Sequence, residues 1–554
     1  MRFLRRTPRT PLDAARDAYA TAFRFSDVDL IEVADRWCAE AVRAGDAGQA
    51  ADAYWHRIVV APPESARRVP LEHRVVPLIG QRTVAQAGYR QLLAERLEEA
   101  VRVLEFGRGV LLRRTVGAVP AGQRDALRKR GQSVLLAAYQ QAVDELAVLI
   151  RAQYGAPRPA AASTVMIGQN RYAIRGDDPL VAAQTRVDRL EERIAQELGI
   201  QDGPPAYSDI VRPGESIPLV YVAAAAEGYA LIARDGRPPE CVDLPLLTES
   251  AAESHARNLG ARRIGGDLHK PVRQAVAWLT MALDPLRSRL TADPALTLVP
   301  VGWLALLPLH AAVSQHVRYA VSAHAMSPAT HPVRPSDTVL LASAEHPWQA
   351  AGEPELPRFR LVAAQARMLS DLYGARLRHM PDVPAENALA EMGSTEICHF
   401  MCHGVADPAH GLNSRLQLAD RPLSLAEIFA REPLRQRLVI LGACESSVSD
   451  HKLLDETVSF PGALVQAGAG GVVAALWRVS EPAAALVLLR FHQGLASGRA
   501  PMEALTQAQQ WLRAVTAGEL KREYAVLWRD RFVPGDSVPF AEPVHWAAFT
   551  YHGV

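Results

Sequence analysis

A histidine and a cysteine that each follow an apolar, strand-length run are the residues of this chain best suited to chemistry. The run 398–402 leads to His403 and Gly404, and the run 438–442 leads, two residues later, to Cys444. The interval between His403 and Cys444 has room for one helical crossover, so the two runs can form neighbouring parallel strands. Because the carboxyl ends of such strands meet at one edge of a sheet, the spacing predicts that His403 and Cys444 share a rim.

A cysteine at a strand end can act as a nucleophile when an imidazole takes its proton. The thiolate is the reactive species, and a free thiol, with a pKa of about 8.5, is only slightly ionised at neutral pH. The same histidine can then protonate a leaving amine. The backbone N–H groups of Gly404 and Cys444 would form an oxyanion hole.

Two less reactive roles stay open for these residues. Free cysteines are usually buried in the core, and a histidine can be held by structural hydrogen bonds. The strand-end positions of Cys444 and His403 favour the reactive roles. His410 and His451 are alternative bases, although neither follows a predicted strand.

The strand before His403 and the residues that follow it carry side chains of the types that ligate zinc. These residues are Cys398, His399, Cys402, His403 and His410. Strand alternation places Cys398, Phe400 and Cys402 on one face and His399 on the other, and no second close pair of ligands occurs elsewhere. We therefore expect Cys398 and Cys402 to pack in the core, and we expect no metal site.

Composition limits the classes of partner and the compartment. The 554 residues are enough for several domains. With 61 Lys and Arg against 60 Asp and Glu, the chain has no field that would attract nucleic acid or an anionic membrane. Five cysteines without disulfide spacing fit a reducing compartment, and no apolar run reaches about 18 residues. The glycine-rich run 468–471 lacks a following Lys-Ser/Thr pair. We expect a soluble cytoplasmic protein without a cofactor.

The first 200 residues have a helical pattern and little else. Apolar residues recur at spacings of three and four across 29–44, and Gly45 separates this run from a second helix. Longer helical runs are predicted across 83–114, 121–154 and 177–198. The helices pair in the manner of tetratricopeptide units, but no period of about 34 residues is present.

Strands and helices alternate after residue 200, which predicts an α/β fold with a mostly parallel sheet and helices on both faces. Cys241 lies in a Pro-flanked stretch that resembles a loop. A long helix is predicted at 271–290, and shorter ones lie between the later strands. The predicted strands are 217–225, 229–234, 296–301, 338–343, 395–402, 436–443, 470–476 and 544–551.

The chain from about residue 203 onward resembles the CHAT family of caspase-like cysteine peptidases, which are related to caspases and separase. The likeness covers the His403-Gly404 turn, the sequence Ala-Cys-Glu-Ser around Cys444, and motifs upstream and downstream of them. Those further motifs lie at 104–109, 298–302, 307–310, 455–463, 467–473, 476–479, 501–505 and 546–549.

The resemblance implies a thiol endopeptidase with His403 as base and Cys444 as nucleophile. It implies a helical, tetratricopeptide-like regulatory region at 1–200, a noncatalytic caspase-like half at 201–334 and a catalytic half at 335–554. We expect a protein or peptide substrate, an activating partner on the helical region, and a setting such as bacterial defence or signalling. A catalytically silent interaction scaffold is the alternative.

Three acidic residues are candidates for substrate contacts. Glu481 follows Trp477-Arg478-Val479-Ser480 at the position where separase carries an acidic residue that faces a basic substrate side chain, so it could favour Lys or Arg before the cut. Pro482 follows, which also suits the first turn of a helix. Asp455 and Glu456 could line the substrate cleft or form the charged start of a helix at Thr457.

Overall fold

A long mixed sheet, covered by helices on both faces, organises the computed structural model of the chain. Most strands of the long sheet have strongly apolar sequences, which suits burial on both faces. The structure describes residues 10–25, 30–60, 84–108, 121–154, 179–199, 206–211, 214–261, 266–323, 333–348, 358–392, 394–405, 414–429, 438–442, 460–466, 468–528 and 533–553.

The long sheet has eleven strands in the order β3-β2-β1-β4-β5-β14-β13-β12-β8-β6-β7, and the short sheet has the order β11-β10-β9. The strands are β1 Leu219–Ala223, β2 Gly228–Ala233, β3 Glu240–Leu244, β4 Ala295–Val301, β5 His316–Tyr319, β6 Val339–Ser343, β7 Leu377–Met380, β8 Ile397–Met401, β9 His403–Val405, β10 Arg415–Gln417, β11 Pro422–Ser424, β12 Leu438–Leu441, β13 Gly471–Ala475 and β14 Phe549–Gly553.

The long sheet contains two parallel sets that run in opposite directions. Strands β1, β4, β5 and β14 are parallel to one another, and so are β13, β12, β8, β6 and β7. The sets meet where β14 pairs with β13 in antiparallel fashion. The carboxyl ends of the two sets therefore lie at opposite edges of the sheet.

Helices fill the segments between the strands and most of the chain before them. A π-helical turn, His56–Val60, continues the third helix. The α-helices are α1 Pro11–Phe25, α2 Leu30–Ala44, α3 Ala47–Trp55, α4 Val84–Leu93, α5 Leu97–Phe106, α6 Ala121–Lys129, α7 Ser133–Tyr154, α8 Pro179–Leu198, α9 Tyr207–Ile210, α10 Glu249–Gly260, α11 His269–Ala282, α12 Asp284–Arg289, α13 Val362–Tyr373, α14 Ala385–Glu391, α15 Leu425–Phe429, α16 Phe460–Gln466, α17 Glu481–Ala496, α18 Pro501–Ala514, α19 Ala517–Glu523 and α20 Pro543–Trp546.

The sheet separates two apolar layers, as strand alternation requires. In β1, Val220 and Val222 face a core shared with helices α10, α11, α17 and α18. Leu219, Tyr221 and Ala223 face the other way, toward α4 and α5 of the N-terminal region. These N-terminal helices therefore supply one of the two covering layers of β1, β2 and β4.

Helix α5 is also tied to the segment that follows β5. Glu105 is 1% exposed, and its carboxylate accepts hydrogen bonds from the Tyr221 hydroxyl at 2.6 Å and from the Ala323 N–H at 2.9 Å. The guanidinium of Arg108, equally buried, donates to the Val321 carbonyl at 2.9 Å. Val321 packs in the same apolar cluster as β8 and β12. The helical region thus touches the segment that connects the two sets of strands.

Several predicted elements are corrected in detail. The helical run 83–114 breaks near Glu95, whose φ is +60°, and the run 121–154 breaks at Gly131, whose φ is +75°. The predicted helix 271–290 is two helices, α11 and α12. Cys241 lies in strand β3 and not in a loop. The predicted strand 544–551 is a short helix followed by β14.

None of the described helices combines the length and the apolar character that a membrane crossing requires.

Candidate active site

Strands β8 and β12 are parallel neighbours, which confirms the arrangement expected from the two apolar runs. Val439 lies opposite Cys398, and Leu441 lies opposite Phe400. The pairing continues beyond β12, because the Gly442 N–H donates to the Phe400 carbonyl at 2.8 Å. Gly442, the last described residue before Cys444, therefore lies alongside the end of β8.

His403 begins β9, two residues after β8 ends. Its side chain is largely buried, with the residue 6% exposed. The imidazole stacks on the ring of Phe359, with 4.4 Å between the ring centroids and 23° between the planes. Gln417 of β10 lies opposite His403 in the short sheet. The imidazole is thus held between a strand pairing and an aromatic face.

A cavity of about 240 Å³ opens at this rim. His403 and Gly442 both line this cavity. The predicted base and the residue two positions before the predicted nucleophile therefore lie at the same cavity. The other lining residues in the described part of the chain are Arg358, Phe359, Gln365, Met401, Arg478, Val479, Ser480, Glu481, Ala484, Ala485 and Leu488.

Glu481 lies in this cavity wall, at the first turn of α17. One carboxylate oxygen, Oε1, accepts hydrogen bonds from the backbone N–H groups of Arg360 and Leu361, both at 2.6 Å. These two residues precede helix α13. The carboxylate therefore joins the N-terminal ends of two helices, where negative charge is favourable.

The remaining predicted site residues differ in how far the structure describes them. Gly404 lies in β9 opposite Leu416. Cys444, Asp455 and Glu456 lie outside the described residues.

A protein-family model, the CHAT domain, matches residues 269–554. This stretch is slightly more than half of the chain. The chain belongs to the CHAT-domain family. The match begins at helix α11 and includes β4 to β14, so the long sheet of this CHAT protein is covered except for β1 to β3.

Comparisons with solved structures give matches of low sequence identity to the CHAT protein. A structure of the Saccharomyces cerevisiae separase–securin complex has 9% identity and a TM-score of 0.45, and the match covers 97% of this chain and 48% of that one. The Arg-specific cysteine proteinase gingipain R has 10% identity and a TM-score of 0.30, with 55% of this chain and 74% of that chain covered. The CHAT protein thus matches about half the length of separase. No curated protein sequence matches it significantly.

The family assignment and the fold class expected from the sequence are confirmed. The CHAT protein has a mostly parallel mixed sheet with helices on both faces, preceded by a helical region.

The face of β8 opposite His399 is apolar core, as predicted. Cys398, Phe400 and Cys402 are fully buried in one cluster. Burial raises the pKa of the Cys398 thiol to about 12, so this sulfur stays protonated at neutral pH. In the part of the chain that is described, no three His, Cys, Asp or Glu side chains are arranged to hold a metal ion.

A buried polar chain beneath the rim was not anticipated from the sequence. The Nδ1 of His399 lies 3.1 Å from the Nε2 of His492, whose Nδ1 lies 2.9 Å from the Tyr373 hydroxyl. Burial lowers the pKa of His492 to about 3, and burial together with His492 lowers that of His399, so both imidazoles are neutral. The contacts span 93 and 119 residues, and no local pattern indicates them.

The row of hydrogen-bonded side chains formed by Tyr373, His492 and His399 ends directly under Gly442. A Cβ at this glycine would lie 3.2 Å from the Nε2 of His399 and 3.0 Å from the Phe400 carbonyl oxygen. Among the described residues, that Nε2 has no hydrogen-bond partner. A side chain at Gly442 would therefore crowd His399 and the end of β8. A glycine at the end of an apolar strand was the available sequence signal.

Proposed function

We propose that the CHAT protein is a cysteine endopeptidase in which Cys444 is the nucleophile and His403 the base. The observation that carries the proposal is the parallel pairing of β8 with β12, which places His403 and Gly442 at one cavity. Cys444 follows Gly442 by two residues. Two residues extend about 7 Å at most, so the covalent chain keeps Cys444 close to the same rim.

The reaction follows from these groups. His403 takes the proton of the Cys444 thiol, and the thiolate attacks the carbonyl carbon of a peptide bond. The negative charge that develops on the carbonyl oxygen is stabilised by the N–H groups of Gly404 and Cys444, at about 3 kcal/mol for each such donor. The imidazolium then protonates the leaving amine, and a thioester remains. His403 next deprotonates a water molecule, which hydrolyses the thioester and restores the thiol.

A protein or peptide substrate and control by the helical region at 1–200 complete the proposal. The contact of Glu105 and Arg108 with residues 321–323 supports such control, because Val321 also packs against β8 and β12. An activating partner would bind the helical region and shift this contact. The tetratricopeptide-like character, the division at residues 200 and 334, and a setting in bacterial defence or signalling rest on the family resemblance.

The test is thiol labelling and proteolysis in a Cys241→Ala background. Cys241 is exposed on β3, whereas Cys38, Cys398 and Cys402 are buried, so removal of Cys241 leaves Cys444 as the thiol to be probed. We expect a peptidyl electrophile to modify this protein at Cys444, and we expect Cys444→Ala to abolish both modification and cleavage.

His403→Ala should slow both reactions while the protein stays folded, because the imidazole is the proton acceptor. Candidate substrates are the proteins encoded by the neighbouring genes. Each is tested for cleavage alone and in the presence of the other neighbouring proteins as possible activators. Persistent cleavage by the Cys444→Ala variant would refute the assignment. Loss of cleavage in every arm, with full biological effect from Cys444→Ala, would instead favour the interaction scaffold.

A further inference from the structure

The imidazole of His403 stacks on an aromatic ring, and the turn that carries this ring is bonded to a carboxylate. Phe359 lies face to face with His403, with ring centroids 4.4 Å apart. Phe359 precedes Arg360 and Leu361, whose N–H groups both donate to the Oε1 of Glu481. The path from Glu481 to the imidazole therefore contains two hydrogen bonds, one peptide linkage and one ring contact.

Both hydrogen bonds to Glu481 are charge-assisted, which makes them stronger than bonds between neutral groups. Both distances are 2.6 Å, and both join a carboxylate to N–H groups at the start of helix α13. Bonds with an ionised partner are shorter and roughly twice as strong as neutral ones. Residues 349–357, which directly precede Arg358, lie outside the described residues. Glu481 thus anchors the turn that carries Phe359.

We propose that Glu481 and Phe359 are positioning residues that fix the orientation of His403 toward Cys444; the proposal rests on the peptidase function proposed above. Glu481 acts through the backbone of residues 360 and 361, and Phe359 acts through its ring. The imidazole can then rotate little, so its proton-accepting nitrogen stays directed at one point of the rim.

This role differs from recognition of a basic substrate side chain by Glu481. The oxygen that is bonded to Arg360 and Leu361 is already occupied. Arg358 and Arg478 also line the cavity. A lysine or arginine side chain that entered would meet these two guanidinium groups, which disfavours its binding.

Three substitutions at Glu481 separate the two roles. Glu481→Gln keeps an acceptor oxygen at the same reach but removes the charge, whereas Glu481→Ala removes both. The positioning role predicts that Glu481→Ala lowers kcat on the order of 100-fold, the effect of misplacing a catalytic group by about 1 Å, with little change in KM. Glu481→Gln should retain activity within about 10-fold. Glu481→Asp is too short for the contact and should resemble Glu481→Ala.

The substrates for this comparison are matched peptides with Lys, Arg, Gln or Leu before the cut. Positioning predicts that every Glu481 variant keeps the relative preference of the wild type. A selective loss of cleavage after Lys and Arg in Glu481→Gln would show that the carboxylate binds a basic substrate side chain, and it would overturn the proposal.

A spectroscopic measurement tests the same proposal without any activity. In protein labelled at histidine, the His403 signal, assigned with His403→Gln, should show the ring-current shift of a proton over an aromatic face. Phe359→Leu, which keeps an apolar cover without the ring current, should remove this shift. Glu481→Ala should alter it, and Glu481→Gln should leave it near the wild-type position.

An unchanged His403 signal in Glu481→Ala would refute positioning, whatever the activity. Absence of Cys444-dependent cleavage in the wild type would instead refute the peptidase function, while the signal would still report whether Glu481 orders the imidazole. Arg360→Ala is the matched control, because only the backbone N–H of this residue contacts Glu481, so the signal should not move.

Discussion

Substitution of Glu105 by alanine should loosen the N-terminal helices from the sheet. The carboxylate accepts from Tyr221 at 2.6 Å and from Ala323 at 2.9 Å, and it is 1% exposed. Its removal leaves two buried donors unpaired, at about 1–3 kcal/mol each. Because the substitution also removes the cost of burying a charge, we expect a loss in the lower part of that sum, about 2–4 kcal/mol.

Urea unfolding followed by near-UV circular dichroism and by tryptophan fluorescence measures this loss. The matched control is Glu98→Ala on the exposed face of the same helix, which should change stability by less than about 0.5 kcal/mol. Tyr221→Phe alone should cost less than Glu105→Ala, since it leaves the carboxylate its second donor. The variant that combines Glu105→Ala with Tyr221→Phe should lose about 1–3 kcal/mol less stability than the sum of the two single losses, because both substitutions remove the same hydrogen bond.

The result that would refute this reasoning is equal stability of Glu105→Ala and Glu98→Ala. In that case the helical region would not be fastened through Glu105, and control of the site through residues 321–323 would lose its support. Trypsin digestion provides a second readout, because loosened helices should be cut faster in Glu105→Ala than in the wild type.

Two further predictions concern buried histidines and Gly442. His310, His492 and His552 have pKa values lowered by burial to about 4, 3 and 3, so the unfolded chain binds more protons below pH 6.5. The free energy of unfolding should therefore fall from pH 6.5 toward pH 4, by about 1.4 kcal/mol per pH unit for each of these histidines. Unfolding curves measured at a series of pH values should show a smaller slope for His492→Phe. Gly442→Ala should cost about 1–3 kcal/mol through overcrowding and abolish Cys444 labelling, whereas an unaffected labelling rate would contradict the described packing.

The rim of the candidate site could be predicted from sequence because its signals are local. The strands β8 and β12 are continuous apolar runs of strand length, and each ends at a polar or small residue. Buried parallel strands have this pattern, and their pairing follows from the crossover between them. Cys398 and Cys402 could be assigned to the core by alternation alone.

The support of the site could not be predicted in the same way. His492 and Tyr373 lie on helices 119 residues apart, and each alone is an ordinary helical residue. The bonds from residues 360 and 361 to Glu481 involve backbone groups, which carry no sequence signal. Glu481 instead suggested a substrate contact, because the family resemblance places it where separase carries an acidic residue that faces a basic substrate side chain. That suggestion stays a prediction.

Short strands were missed for a different reason. The strands β9, β10 and β11 have three residues each, which is too few for alternation to be recognised. Strand β3 carries charged residues and prolines precede it, as suits an edge, so its sequence resembles a loop. The boundary of β14 was displaced because Trp546, Ala547 and Ala548 are apolar without being extended.

The position of β14 between β5 and β13 has a consequence for how the protein is made. Translation proceeds at about 5–20 residues per second, so β14 is completed on the order of 10–50 s after β5. Throughout that interval the edge of β5 that pairs with β14 has no neighbouring strand, although β1 to β4 and the N-terminal helices can already be in place. Newly synthesised chains therefore pass through a stage with an open strand edge, at which they can pair wrongly with one another. The two sets of strands become one sheet only when residues 549–553 are inserted, so the rim cannot gain its final support on a growing chain before that point.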